Sequence, residues 1–356
     1  MKKICILSAV NLKHMSLISA YTKILKLRGI DFDIIYMDKY DVEEKIECKN
    51  KYRYINKINP SSLRIKKLFQ YLSFVPYAIK IINKNKYDFI IVWNDVAIIM
   101  FSIYLALFQK KKYCLNIRDY AHQEYRLIYY LFKLVVGNSI FTTISSNGFK
   151  TFLPKYNYIM LHSLNENILS KCAVRDKLAP LNKKIRITFI GNVRFFEINK
   201  RLLDIFANDE RFELHYYGTN SEVLEQYAAE NNINNAIFGG AFSVDDTYKF
   251  IDKTDIINNL YGSGNPSVDY ALSIKLYYGI FCNIPILVEK NTYMETISKE
   301  LSMGYVVDSL SDDLNDRVYE WYRKINFDKL RESCNNYLVT IKKENALFDK
   351  EVNKNV

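Results

Sequence analysis

The sequence predicts an α/β protein made of two consecutive doubly wound, Rossmann-like domains facing across a cleft. Three observations carry that prediction. Apolar runs of strand length alternate with amphipathic, helix-length segments through most of the 356 residues. In the second half the first three apolar runs end in glycine, which allows backbone to pass close to a ligand. Over residues 161–184 the rhythm pauses in polar sequence containing Pro180 and Asn182, and then it restarts.

Lys3–Val10 is a near-continuous apolar run, as expected of a parallel strand buried on both faces. His14–Leu27 follows as an amphipathic helix closed by Gly29. Phe32–Met37, Asp88–Trp93, Tyr113–Ile117 and Phe141–Ile144 read as further strands, and Val96–Phe108 as a helix. After the pause, strands are expected at Ile185–Ile190, Phe212–Tyr217, Ala236–Phe238, Ile256–Leu260 and Pro285–Val288. Helices are expected at Lys200–Phe206, Glu222–Asn231, Asp245–Ile251 and Val268–Tyr278, and mostly charged helix from Asp312 onward. The domains are therefore drawn at 1–165 and 185–330, with a hinge over 166–184. A terminal helix over 331–356 is free to pack back on the first domain. In such sheets ligands bind outside the carboxyl ends of the strands, so the loops after each strand are the places to search.

Six cysteines (Cys5, Cys48, Cys114, Cys172, Cys282, Cys334) include no CxxC pair and read as reduced residues of a cytoplasmic protein. The start, Met1 to Leu7, imitates a secretory signal, but its apolar run stops at Asn11, Lys13 and His14, so a buried strand is expected instead. No stretch reaches the roughly 20 apolar residues of a membrane span. Residues 1–182 hold 29 basic and 13 acidic side chains, whereas residues 183–356 hold 21 and 26. A basic half joined to a mildly acidic half suggests domains with different partners.

The most informative segment is Ser273-Ile274-Lys275-Leu276-Tyr277-Tyr278-Gly279-Ile280-Phe281-Cys282-Asn283-Ile284-Pro285, where a helix presents a lysine before a turn and a buried strand. It resembles the K-x-x-E-x-x-x-x-G-x-P signature of GT-B glycosyltransferases of family four and related bacterial capsule and exopolysaccharide enzymes. The resemblance implies a GT-B fold and a nucleotide-sugar, UDP-linked, held by the second domain. It also implies that Lys275 faces the donor diphosphate, with Ser273 a further donor-side candidate, on a helix that begins just before it and whose N-terminus supplies unpaired N–H groups to an anion. The family's glycine is Asn283 here, its glutamate is Tyr278, and its more distant glutamate is Tyr270. Asp269 is the candidate acid in their place. A chain without activity, acting as a silent subunit or chaperone of a transferase, is the alternative those departures raise.

Phe189-Ile190-Gly191-Asn192-Val193-Arg194 is similar to the opening of the same family's second domain. Gly191 and Asn192 would bring backbone to the donor, Arg194 would offer a planar fork to phosphate, and Lys200 a point charge. Tyr217-Gly218 and Gly240 with Phe242 are expected at the nucleotide base. In the first domain, Asn116-Ile117-Arg118-Asp119-Tyr120-Ala121-His122 looks like the segment lining the acceptor side. Asp119 or His122 would be the general base there. Arg118, Asn11 and His14 are further acceptor-side candidates. No metal or other cofactor is expected. The four histidines have no zinc spacing, and Asp31-Phe32-Asp33 reads as part of a strand.

Ten lysines and arginines and no acid occur from Lys49 to Lys86, interleaved with aromatic and aliphatic residues, and Ser61–Leu72 has helical spacing. Such a face suits an anionic membrane surface, which places the protein in the cytoplasm, peripheral on the inner face of the cell membrane. The expected acceptor is a glycan or a lipid-linked precursor of a bacterial surface polysaccharide. Nucleic-acid binding is the rival reading of the basic stretch, but no recognition motif accompanies it, so no nucleic-acid partner is expected.

Overall fold

A computed structural model describes residues 2–15, 17–57 and 63–356. Ser61 and Ser62, the expected start of a helix, lie outside them. The chain forms two units, Met1–His162 with Lys343–Val356, and Ser163–Lys342.

The first unit contains β1 (Ile4–Ser8), α1 (Ser19–Leu27), β2 (Phe32–Asp38), β3 (Asn50–Ile55), α2 (Arg64–Asn85), β4 (Phe89–Trp93), α3 (Asp95–Phe108), β5 (Tyr113–Ile117), α4 (Arg126–Asn138), β6 (Thr142–Ile144) and β7 (Ile159–Met160). Its parallel sheet has the order β3-β2-β1-β4-β5-β6-β7. The central strands β1 and β4 are buried along their whole length, as their unbroken apolar sequences require. Edge strand β3 escaped the sequence pattern because it lies within the basic stretch and is nowhere fully buried. α4 and β7 were likewise not expected. The helix expected from His14 begins only at Ser19, because Leu12–His14 forms a separate 3₁₀ turn. The N–H groups of Leu12 and Lys13 donate to the Glu44 carboxylate at 2.8 and 2.9 Å, which holds that turn apart from α1.

The second unit contains α5 (Glu166–Leu169), β8 (Ile185–Ile190), α6 (Phe196–Ile205), β9 (Phe212–Tyr217), α7 (Ser221–Glu230), β10 (Ala236–Gly240), α8 (Thr247–Ile251), β11 (Ile256–Asn259), α9 (Pro266–Asp269), α10 (Ile274–Cys282), β12 (Ile286–Glu289), α11 (Tyr293–Glu300), β13 (Gly304–Val307) and α12 (Leu314–Arg323). Its parallel sheet runs β10-β9-β8-β11-β12-β13. The residues drawn as a hinge, 166–184, fall inside this unit. Arg175 fastens them there, with Nη1 donating to Asp255 at 2.9 Å and Nη2 donating to the Thr254 carbonyl. The last helix, α13 (Phe327–Asn355), is divided: residues through Lys342 belong to the second unit, and those from Lys343 to the first. There Phe348 meets the Tyr21 ring edge-on at 4.8 Å, and Glu344 pairs with buried His162 at 2.5 Å.

One correction bears on the site. The single helix expected over Val268–Tyr278 is two helices, α9 and α10, and α10 starts afresh under Ser273. The Ser273 hydroxyl accepts the Lys275 N–H at 3.3 Å, so sequence that reads as helix interior is a helix start. At the other end, Asn283 adopts φ 57°, ψ 44° and donates its N–H to the Gly279 carbonyl. Asparagine tolerates this left-handed conformation, which accounts for its standing where the resembling signature has glycine.

In each sheet the chain order reverses once, between β1 and β4 and between β8 and β11. At such a reversal the loops leaving two adjacent strands part in opposite directions and open a crevice.

Candidate functional site

The crevice of the second unit is built on glycines. Gly191 follows β8 at φ 126°, and Gly218 follows β9 at φ 145°. A Cβ on Gly218 would lie 1.7 Å from the Gly191 carbonyl oxygen, so only glycine fits. The Gly191 N–H donates to the Tyr217 carbonyl at 2.9 Å, and the Gly218 N–H to the Gly240 carbonyl at 2.8 Å. These bonds tie three strand-end loops together. They bury Val193 and leave the next residue, Arg194, exposed at the crevice.

Across the reversal, β11 ends in Asn259, and Tyr261 follows. β12 ends in Glu289. Together with Arg194, Ser273 and Thr292, these residues line a cavity of about 290 Å³. Among the described residues the Arg194 side chain has no hydrogen-bond or ion-pair partner. Its guanidinium only flanks the Phe195 ring, 5.8 Å from the centroid. Asn259 Oδ1 and Glu289 Oε2 are both buried without a hydrogen-bond partner. Burial pushes the Glu289 carboxyl up to about 7, against a hydrogen bond from the Gly262 N–H and with help from the Asp269 charge. One cavity therefore offers a free cation, the amino end of α10, and two acceptors that lack donors.

Lys275 lies beneath the cavity wall and is only 3% exposed. Its Nζ donates to the Tyr261 hydroxyl at 2.5 Å and sits 3.6 Å from the Phe189 ring centroid. Burial holds its pKa below the ordinary lysine value, with Tyr261 acting in the opposite sense. Burial raises the Tyr261 phenol, but the Lys275 charge and hydrogen bonds from Lys275 and Ser273 outweigh it and leave the phenol below its ordinary value.

The other sequence candidates of this unit fall as follows. Asn192 accepts from Asn220 Nδ2 at 3.0 Å. Lys200 pairs with Glu197 at 3.2 Å and lies over the Tyr227 ring, on the flank of α6. Tyr217 stacks on Phe250 at 4.2 Å, and Phe242 meets the same ring at 4.6 Å, so both share one aromatic cluster beside Gly240. Both oxygens of Asp269 accept the Gly264 N–H, at 3.1 and 3.0 Å, and burial raises its carboxyl. Sequence reasoning missed Asn259, Tyr261 and Glu289. The signal was present, since each stands at or just past the carboxyl end of a strand. The strand drawn as Pro285–Val288 stopped one residue short of Glu289.

In the first unit the candidates are mostly engaged with neighbouring residues. Asn11 is buried: Nδ2 donates to Asp38 at 2.6 Å and to Glu44 at 3.1 Å, and Oδ1 accepts from the Lys39 N–H. His14 contacts the Tyr40 hydroxyl at 3.0 Å, and partial burial lowers its pKa. The N–H groups of Arg118 and Asp119 donate to Asp95 Oδ2 at 3.1 and 3.0 Å. Asp95 Oδ1 is buried without a partner, and burial pushes that carboxyl up to about 8. His122, at φ 61°, is exposed beside Glu124 at 3.3 Å. Asp31 and Asp33 do not share a strand face, because Asp31 precedes β2. Asp33 instead accepts from Asn50 and Tyr87.

No protein family's sequence profile matches the chain, and no curated protein matches it. Solved structures do. The class they define is the GT-B fold, two Rossmann-like α/β domains each built on a parallel sheet. The sucrose-phosphate synthase of Thermosynechococcus elongatus is 12% identical, with 98% of this chain and 99% of that one covered and a TM-score of 0.67. HepE of Anabaena, solved with UDP, is 10% identical over 99% and 100%, with a TM-score of 0.65. A UDP-N-acetylglucosamine 2-epimerase is 12% identical over 93% and 91%, with a TM-score of 0.59.

Proposed function

We propose that the protein is a glycosyltransferase that takes a sugar from a nucleotide-sugar, a UDP-sugar foremost. The observation that carries this reading is the cavity at the β8/β11 reversal. A nucleoside diphosphate sugar combines an anion with many hydroxyl donors, and the cavity lining combines the complementary groups. The Arg194 guanidinium and the positive dipole end of α10 suit the diphosphate. Asn259 Oδ1 and Glu289 Oε2 suit hydroxyl groups, which would supply the donors these buried oxygens lack. Leaving-group charge develops on the diphosphate during transfer, and preorganised donors stabilise such charge most effectively. Asp269 stays a candidate for orienting the sugar, and Asp119 or His122 for removing a proton from the acceptor hydroxyl. The complex of Anabaena HepE with UDP supports the choice of nucleotide.

The acceptor in this reading is a lipid-linked or growing surface glycan, met at a membrane. The support is α2. Leu63, Ile65, Leu68, Phe69 and Leu72 are between 43 and 80% exposed, on the segment that carries Lys66 and Lys67. Tyr71, on this same turn of helix, binds Lys39 Nζ at 2.8 Å, beside the carboxyl end of β2. Apolar side chains among cations suit an anionic bilayer, each cation near it contributing about 1 kcal/mol. No helix among the described residues is long and apolar enough to cross a membrane.

The test is incubation of purified protein with individual nucleotide-sugars and acceptor lipid in anionic vesicles, following release of the nucleotide. Release that depends on acceptor supports the transferase. Inversion at C2 of UDP-N-acetylglucosamine without any acceptor would mark an epimerase, and binding without turnover a silent subunit.

A further inference from the structure

Lys275 is the residue of the resembling signature, yet it does not reach the cavity that Arg194 and Tyr261 line. Its ammonium is enclosed by the Phe189 and Tyr261 rings, and its one hydrogen bond from Nζ goes to the Tyr261 hydroxyl. That hydroxyl accepts from Lys275, so its own hydrogen points elsewhere. Tyr261 also belongs to the cavity lining, beside Ser273 and Arg194. A buried cation held against a phenol oxygen withdraws electron density from it and strengthens the phenol as a hydrogen-bond donor.

We propose that Tyr261, rather than Lys275, is the group that hydrogen-bonds the ligand's phosphate, and that Lys275 is a positioning residue acting on the ligand through Tyr261. This rests on the reading of the cavity as a nucleoside diphosphate site. The arrangement has a physical advantage over direct contact. Exposing Lys275 to the ligand would break its bond to Tyr261 and leave the ring faces it now covers. Donating through the phenol keeps the cation in place and needs no rearrangement. The fall of the Tyr261 pKa below its ordinary value agrees with this geometry.

The test is a double-mutant cycle on UDP affinity, by calorimetric titration of the full chain, with Tyr261→Phe, Lys275→Met and the double variant. Far-ultraviolet circular dichroism and thermal melting of each variant establish that it is folded. Tyr261→Phe is expected to weaken UDP binding about tenfold, Lys275→Met by a similar factor, and the double variant by no more than either alone. Uridine, which has no phosphate, should bind all four proteins alike. The pH profile gives a second readout. Wild-type affinity should fall as pH rises through the Tyr261 pKa, because only the protonated phenol donates. Lys275→Met should move that fall to higher pH, and Tyr261→Phe should remove it. A Tyr261→Phe variant that binds UDP like wild type while Lys275→Met loses tenfold would overturn the proposal in favour of direct lysine contact. Equal, additive losses with no change in pH profile would overturn it in favour of a packing role. Wild-type protein that binds no nucleoside diphosphate at all would overturn the cavity reading itself, and the relay with it.

Discussion

The two sheets reverse at equivalent places, but the polar groups just past β1 and β2 in the first unit are saturated, whereas those lining the crevice of the second are not. At the first, Asn11 and Asp38 satisfy each other and their surroundings. Asp38 accepts from Asn11, from the N–H groups of Tyr40, Asp41 and Val42, and from Arg53 at 2.7 Å. At the second, among the described residues, Arg194 stands unpaired, and Asn259 and Glu289 each keep a buried oxygen without a donor. A saturated network fixes loop conformation and has little capacity left for a ligand. An unsaturated one carries a desolvation penalty of about 1–3 kcal/mol per orphaned group, which a bound ligand relieves. One topology thus serves as scaffold at the ends of β1 and β2 and as candidate site at the second reversal. The ends of β4 and β5 depart from that saturation, since Asp95 Oδ1, Asn116 Nδ2 and Gln123 Nε2 are also buried without a partner among the described residues.

Substitutions at the two reversals should therefore fail in different ways. The largest effect belongs to Asp38→Ala, which removes the buried carboxylate between Asn11 and Arg53, leaving them only Glu44 and Asp41, and should lower stability by about 3 kcal/mol in urea unfolding. Burial raises the Asp38 carboxyl, but hydrogen bonds from Asn11, Tyr40 and Arg53 outweigh it and hold the pKa below the ordinary value. Its contribution is accordingly present at neutral pH and lost as pH falls through that lowered pKa. Loss of ligand affinity with unchanged stability on this substitution would erase the contrast between the reversals.

Arg194→Ala comes next. It should weaken UDP binding about 10–100-fold, or about 1.4–2.7 kcal/mol, in a titration. Because the side chain is exposed and unpaired, stability should change by no more than about 0.5 kcal/mol.

Glu289→Gln sharpens the comparison through pH. The Glu289 carboxyl is raised to about 7, whereas an unfolded glutamate titrates at about 4.3. Between those values the folded state holds a proton that the unfolded state has lost, so stability falls as pH rises through the window. The loss should be on the order of 1–2 kcal/mol, allowing for partial exposure, and should vanish in the Gln variant. Unfolding curves collected from pH 4 to 8 would show it. Asp38 and Glu289 thus drive stability in opposite directions with pH. The smallest effect is that of Lys200→Ala, below about 0.5 kcal/mol in UDP affinity, since Lys200 is occupied with Glu197 and Tyr227.

The strands at the centre of each sheet were legible because burial on both faces leaves them uniformly apolar. Tyr113–Ile117, Ile185–Ile190 and Phe212–Tyr217 have the bounds drawn from sequence. Strand β3 was not, because an edge strand has no such constraint and its lysine and arginine read as surface. The break between α9 and α10 was hidden because capping by Ser273 depends on one hydroxyl, while the hydrophobic period runs on across it. At the site, glycines and Arg194 were legible from strand-end position. Glu289 was not, because a carboxylate at a strand end looks like a solvated one until its neighbours bury it.

The most direct measurement is a crystal structure of the protein grown with UDP. The cavity reading predicts phosphate oxygens against the Arg194 guanidinium and the start of α10, with a ligand hydroxyl donating to Glu289 or Asn259. UDP bound elsewhere on the chain, or bound here with both of those oxygens still lacking a donor, would contradict it.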